Sequence, residues 1–324
     1  MTSLIERYRD RLPVGPGTPV VTLGEGATPL LPAPRLSERL GCELWLKWEG
    51  ANPTGSFKDR GMTVAVSRAL GDGARAVVCA STGNTAASAA AYAARAGLPA
   101  AILLPAGAVA LGKVAQARAS GARLLEVRGS FGEALRAALE LAERGTHVLV
   151  NSRNPLRLEG QKTAAFEIVE ELGGAPDVLA LPYGGGGNTR AYFQGFEEWG
   201  AGMPRLLAGE SERRADTLAS AIRIPEPAHR AEAEECVRRS GGAVVSLSDE
   251  EIVAAWRELG ELEGLFCEPS SAAGVAAVGK GRPGGRVVCV ITGHGLKDPE
   301  AVERVAPPAV EVDPDPDAIV EALS

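Results

Sequence analysis

Short apolar runs alternate with alanine-rich stretches of helical spacing through the first half of the chain. Ala76–Ala80 (AVVCA), residues 100–104 (AAILL), Arg123–Val127 and residues 148–150 read as strands. Between them Asn84–Ala96, residues 114–120 and residues 131–144 read as helices, the first two stopped by Gly97 and Gly121. Apolar strands joined by helical crossovers predict a parallel sheet covered on both faces. Residues 73–150 therefore read as a small, complete α/β unit.

The pattern then restarts. Residues 159–172 are helical, 177–181 (DVLAL) form a strand, 183–187 a glycine loop and 188–199 a helix. Another apolar segment begins at 205–208, and residues 250–261 and 271–278 have helical spacing. Arg286–Ile291 (RVVCVI) is a late buried strand. The charged stretch 215–239, with Pro225 and Pro227, reads as surface structure of undetermined form, and the acidic, Pro-rich tail after Pro307 ends in a short helix.

Composition narrows the class. At 324 residues the chain is long enough for two domains, and 45% hydrophobic residues can supply both cores. A net charge of −7, without a basic stripe, argues against a nucleic-acid partner. No apolar run reaches the ~18 residues of a membrane span, and the amino terminus MTSLIERYRDRL lacks a signal-peptide core. Five cysteines without a CxxC pair, and three scattered histidines, give no zinc pattern and point to reduced, buried thiols in a cytoplasmic protein.

Several loops carry candidate chemistry. NPTGSFKDRG (52–61) is turn-rich, with Ser56 as a candidate cap for a helix starting near Lys58. A lysine in the first turn of a helix opposes the macrodipole, which favours the neutral amine that Schiff-base formation needs. From the decapeptide alone a solvated surface lysine is the default reading. STGNT (81–85) follows a strand and opens a helix, an arrangement that suits a carboxylate or serves as a plain cap. Gly184, Gly185, Gly186, Gly187 and Asn188 follow the DVLAL strand, where backbone N–H groups can wrap a phosphate. GAVALGKV (107–114) approaches a Walker A pattern, but Val114 has no hydroxyl for magnesium. Arg153 and Arg157 in NSRNPLRLEGQK (151–162) suit an anion or a surface salt bridge. Thr292 in TGHGLKD (292–298) stands at a strand end, and the neighbouring His294 reads as structural.

Together with LGEGATPL (23–30), LPAGAVALGK (104–113) and EPSSAAG (268–274), these motifs resemble, in order and over residues 20–300, the threonine synthases among the fold-type-II pyridoxal-phosphate enzymes. The resemblance implies an α/β fold of two three-layer αβα domains, with residues 1–50 plus 151–324 holding the cofactor phosphate and 51–150 supplying the substrate-carboxylate loop. It implies pyridoxal 5′-phosphate on Lys58, Asn84 at the ring hydroxyl, Gly184 to Asn188 round the phosphate and Thr292 at the ring nitrogen. Ser81, Thr82 and Thr85 fall to the substrate carboxylate, and Lys113, Asn151, Ser152 and Arg157 to the substrate phosphate. Where relatives often carry an Asn within the phosphate loop, this chain has glycines. The implied reaction is that of a carbon–oxygen lyase in threonine biosynthesis, converting O-phospho-L-homoserine and water to L-threonine and phosphate. A cytoplasmic homodimer with no metal is the implied setting. The alternatives are a threonine or serine dehydratase and a cysteine-synthase-like β-replacement enzyme.

Overall fold

The computed structural model describes residues 2–107 and 111–323, without the side chains of 111–113. Among the described residues ten strands form two sheets. They are β1 (Leu30–Pro32), β2 (Glu43–Trp48), β3 (Ala76–Ala80), β4 (Ala100–Pro105), β5 (Arg123–Val127), β6 (His147–Leu149), β7 (Val178–Pro182), β8 (Arg205–Ser211), β9 (Ala243–Leu247) and β10 (Arg286–Ile291). The larger sheet has the order β1-β2-β10-β7-β8-β9 and the smaller β5-β4-β3-β6. Every pairing is parallel except β1 with β2.

The period-two alternation of strand side chains produces the layers. In the larger sheet Val178, Ala180, Val287 and Cys289 pack on one face with Ala255, Leu259, Val275 and Ala277. Leu179, Leu181, Val288 and Val290 pack on the other with Ile168, Tyr192 and Phe196. In the smaller sheet Val77, Cys79 and Ile102 meet Met62, Ala86 and Ala90. Val78, Ala80 and Leu103 meet Ala134 and Ala138. Both sheets are thus the middle of three-layer αβα sandwiches, the expected fold class.

Two helices join the sandwiches by direct backbone contact. The helix Lys58–Gly71 crosses Pro155–Leu172 where both are stripped to glycine. A Cβ on Gly160 would stand 1.9 Å from the Arg60 carbonyl, and one on Gly61 would stand 2.5 Å from that of Arg157. Arg157 is thereby seated against the lysine helix.

Two expectations need correction and one open stretch takes its form. Ser56 does not cap the lysine helix: Phe57 is its N-cap residue, no side chain caps it, and the buried Ser56 hydroxyl has no partner. The stretch 215–239, whose form the sequence left open, ends in the helix Arg230–Arg239. The thiols are all free, but only Cys79, Cys267 and Cys289 are buried. Among the described residues no helix is long and apolar enough to cross a membrane.

Candidate active site

β10 and β7 are parallel neighbours, with Cys289 opposite Ala180, so both finish on the same edge of the larger sheet. Thr292 follows β10 there, and the glycine loop follows β7. The lysine segment is laid along this edge by a short antiparallel bridge between Ser56 and Gly293. Phe57 N–H donates to the Thr292 carbonyl at 3.1 Å and His294 N–H to that of Gly55 at 2.9 Å. Asp59 closes the turn, accepting from Thr54 N–H at 2.7 Å, Thr54 Oγ1 at 2.6 Å and Ser88 Oγ at 2.6 Å. The ligand edge is thus the carboxyl end of the strands, as expected for an open α/β sheet. The surface hollow lined by Cys42, Glu43, Asp177 and Arg286 opens at the opposite edge.

Lys58 is the electrostatic centre. Crowding by protein atoms, and then the nearby Arg157 cation, lower its pKa to about 7 against the opposing pull of Glu268 and Cys79. Burial and Arg157 therefore do what the macrodipole argument assigned to helix position. Arg157 is 1% exposed, donates from Nη1 to the Val150 carbonyl at 2.8 Å and leaves Nε without a partner. Its own pKa falls to about 10 by burial.

Asn84 opens its helix and donates from Nδ2 to the Glu268 carboxyl at 3.1 and 3.3 Å. Glu268 is 2% exposed, and burial raises its pKa to about 7 against the hydrogen bond from Asn84. Its motif was visible in the sequence, but its partner lies 184 residues away. Ser271 is a second residue that pattern reading missed. Its Oγ lies 2.9 Å from Thr292 Oγ1 and accepts from Gly293 N–H at 2.9 Å, holding the buried Thr292 in place.

The smaller sandwich contributes the loop 81–85, whose Ser81, Thr82 and Thr85 are half-buried. Asn151 spends its side chain on shaping that loop: it accepts from Ala80 N–H at 2.9 Å and donates to the Ala80 carbonyl at 2.7 Å. Ser152 offers its carbonyl to His229 Nε2 at 2.9 Å. The Lys113 side chain lies outside the described residues. His294 is structural in its contacts, packed by Trp48 and Phe266 and accepting from Leu296 N–H through Nδ1.

The glycine loop fits a phosphate-bearing cofactor by two observations. Its backbone is pressed against neighbours: a Cβ on Gly184 would stand 3.2 Å from Ile222 Cα, and one on Gly186, at φ +83°, 2.7 Å from the His229 carbonyl oxygen. Immediately after it, both amide atoms of Asn188 and the Thr189 hydroxyl are buried without partners. Buried polar groups are normally paired, so these have capacity to bind a ligand at the loop.

Beside the site lies a fully paired charge cluster. The Arg60 guanidinium binds Glu49 from Nε at 2.7 Å and Glu167 from Nη1 and Nη2 at 2.7 and 2.6 Å. Lys47 reaches Glu167 at 2.9 Å and donates to the Thr28 carbonyl at 2.7 Å. Asn52 and Ala27 N–H also bind the cluster, so it ties residues 26–28 and 47–60 to the helix Pro155–Leu172.

Comparison with known proteins agrees with this geometry. The family model described as "Pyridoxal-phosphate dependent enzyme" matches residues 21–293. A threonine synthase of Mycobacterium tuberculosis is 49% identical, covering 99% of this chain and 95% of its own. One from Synechocystis is 51% identical, covering 92% and 84%. The solved structure of maize serine racemase, 22% identical, superposes with a TM-score of 0.74 over 86% of this chain and 91% of its own, a likeness of fold. The chain belongs to the threonine synthases of the pyridoxal-phosphate dependent enzyme family.

Proposed function

We propose that this chain converts O-phospho-L-homoserine and water into L-threonine and inorganic phosphate, with pyridoxal phosphate carried on Lys58. One observation supports the reading most strongly: a near-neutral lysine amine stands beside a buried arginine and a buried carboxyl, at the strand ends that also carry the glycine loop.

When bound, the cofactor takes up the negative charge left as protons leave carbon. The residues of the chain supply the rest. Lys58 Nζ, poised near neutrality, accepts and returns protons at Cα and the carbons beyond it. Thr292 Oγ1, fixed by Ser271, would hold the ring nitrogen as a neutral hydroxyl. Asn84, fixed by Glu268, would hold the ring hydroxyl. Gly184 to Gly187, with Asn188 and Thr189, would hold the cofactor phosphate. Ser81, Thr82 and Thr85 bind the substrate carboxylate. Arg157, through its unpartnered Nε, binds the substrate phosphate together with Ser152 and Lys113, while Asn151 shapes the loop 81–85.

The reading divides the chain into 1–50 plus 151–324 and 51–150, supported by the membership of β1, β2 and β7 to β10 in one sheet and β3 to β6 in the other. It extends to a cytoplasmic homodimer, for which light scattering of the purified enzyme is the check. The activity test incubates holoenzyme separately with O-phosphohomoserine, L-threonine and L-serine. Release of phosphate with threonine is expected; faster keto-acid formation from threonine or serine would make the chain a dehydratase.

A further inference from the structure

His229 is the residue at which the two phosphate-handling loops meet. It is 8% exposed and stands at the start of the helix Arg230–Arg239. Its backbone N–H donates to the Gly185 carbonyl at 3.1 Å. Its own carbonyl oxygen is the atom against which Gly186 is pressed, and its ring lies 3.5 Å from where a Cβ on Gly187 would stand. Its ring then leaves the glycine loop and reaches the other one: Nε2 is 2.9 Å from the Ser152 carbonyl oxygen. On the far side Nδ1 is 2.9 Å from Arg190 Nη1, in the first turn of the helix Gly187–Trp199.

These partners leave one protonation pattern. A carbonyl can only accept, so Nε2 carries the hydrogen; a guanidinium can only donate, so Nδ1 offers its lone pair. The same Arg190 Nη1 also has Glu232 at 3.6 Å. No part of the chemistry above uses this ring, yet it is buried, bonded at both nitrogens and in contact with three elements of the site.

We propose that His229 is a positioning residue which, as the Nε2–H tautomer, ties the cofactor-phosphate loop to the loop that receives the substrate phosphate. The proposal rests on the assignment of the substrate phosphate to Arg157 and its loop. Through His229, the glycine loop sets the height of the Ser152 backbone, and with it the entrance to Arg157.

Amide substitutions separate the two ring contacts. In His229→Gln the amide nitrogen stands where Nε2 stood and keeps the bond to Ser152. In His229→Asn the amide oxygen stands where Nδ1 stood and keeps the bond to Arg190 alone. With holoenzyme, His229→Asn should raise both the KM for O-phosphohomoserine and the inhibition constant of inorganic phosphate about tenfold, with kcat within about threefold. His229→Gln should stay within about threefold of the parent in all three. Equal effects in the two variants, or an unchanged KM in His229→Asn, overturn the tie. Arg157→Met separates this from the underlying assignment. A raised KM there with an unchanged KM in His229→Asn removes the tie alone, and an unchanged KM in both removes the phosphate site as well. Should both amide variants fail to fold, ¹⁵N-histidine spectra of the parent decide. An Nε2–H signal from His229 that moves on saturation with inorganic phosphate supports the tie, and an Nδ1–H tautomer or an unmoved signal overturns it.

Discussion

Glu167 and Glu268 are both carboxylates with 2% exposure, and they end in opposite states. Burial penalises each. For Glu167 the adjacent Arg60 and Lys47 overcome that penalty and take its pKa down to about 2. For Glu268 the Asn84 hydrogen bond, with a weaker pull from Lys297 and Lys58, does not, and its pKa rises to about 7. The same division runs through the cations: Arg60, clasped by two carboxylates, is raised well above its ordinary value, while Lys58, two residues earlier and faced by Arg157, is lowered to about 7. One turn of helix carries both a structural charge and a reactive one. Pairing makes the first inert, and the lack of pairing leaves the second free to exchange protons near neutral pH.

The largest way to break this contrast is at its reactive end. Lys58→Ala should lower turnover by on the order of a thousandfold or more and abolish the borohydride-trappable protein adduct. Its unfolding transition should stay close to that of the parent, since the amine is opposed rather than paired. In the parent, the rate at which apoenzyme takes up pyridoxal phosphate should rise with pH through about 7. A midpoint near 10 would return Lys58 to the solvated class.

At the inert end, Arg60→Met strands Glu49 in the interior and leaves Glu167 with Lys47 as its one cation. Loss of about 3–5 kcal/mol in denaturant unfolding is expected. An undiminished unfolding free energy would show that the cluster contributes nothing beyond its shape.

The two carboxylates then give slopes of opposite sign. Glu167 has a folded pKa below its ordinary value of 4.5, so its contribution is present above that pH and is lost as pH falls towards about 2. Glu268 has a folded pKa above 4.5, so folding is favoured by its proton and stability falls as pH rises from 4.5 to about 7. Glu268→Gln, which keeps an acceptor for Asn84, should match the parent at pH 4 and exceed it by about 1–3 kcal/mol at pH 8. Glu167→Gln should be weaker than the parent at neutral pH, with the gap closing as pH falls below 4.5. Parallel stability curves for Glu268→Gln and the parent would mean that Glu268 is not strained by its site.

The contrast also marks what the sequence could reveal. Apolar runs such as AVVCA and RVVCVI carry their own strand signal, and the glycine loop declares its conformation locally. β2, ELWLKW, escapes such reading because its Lys47 is a buried charge, tolerated only because Glu167 lies 120 positions further on. Glu268 and His229 escape for the same reason: their meaning is set by partners in other elements. The Lys58 decapeptide by itself leaves a surface and a reactive reading open; the ordered motifs chose the second, and the Arg157 cation that helps lower its pKa is again a distant partner. Local chemistry was legible; long-range charge partnership was not.

Ser56 tests that boundary at the smallest scale. Its position before a helix reads as a cap, and a lost serine cap costs about 1 kcal/mol. The folded chain gives its hydroxyl no partner at all, and a buried hydroxyl without a partner is itself a cost. Ser248 is the matched control: its hydroxyl accepts from Glu251 N–H at 3.3 Å while Glu251 accepts from Ser248 N–H at 2.8 Å. Ser248→Ala should therefore lose about 1 kcal/mol of unfolding free energy, whereas Ser56→Ala should lose none and gain up to about 1 kcal/mol in the apoenzyme. The sign at position 56 decides, because a loss equal to that at 248 would restore the cap and remove Ser56 from the unpaired polar groups that mark the reactive side of the molecule.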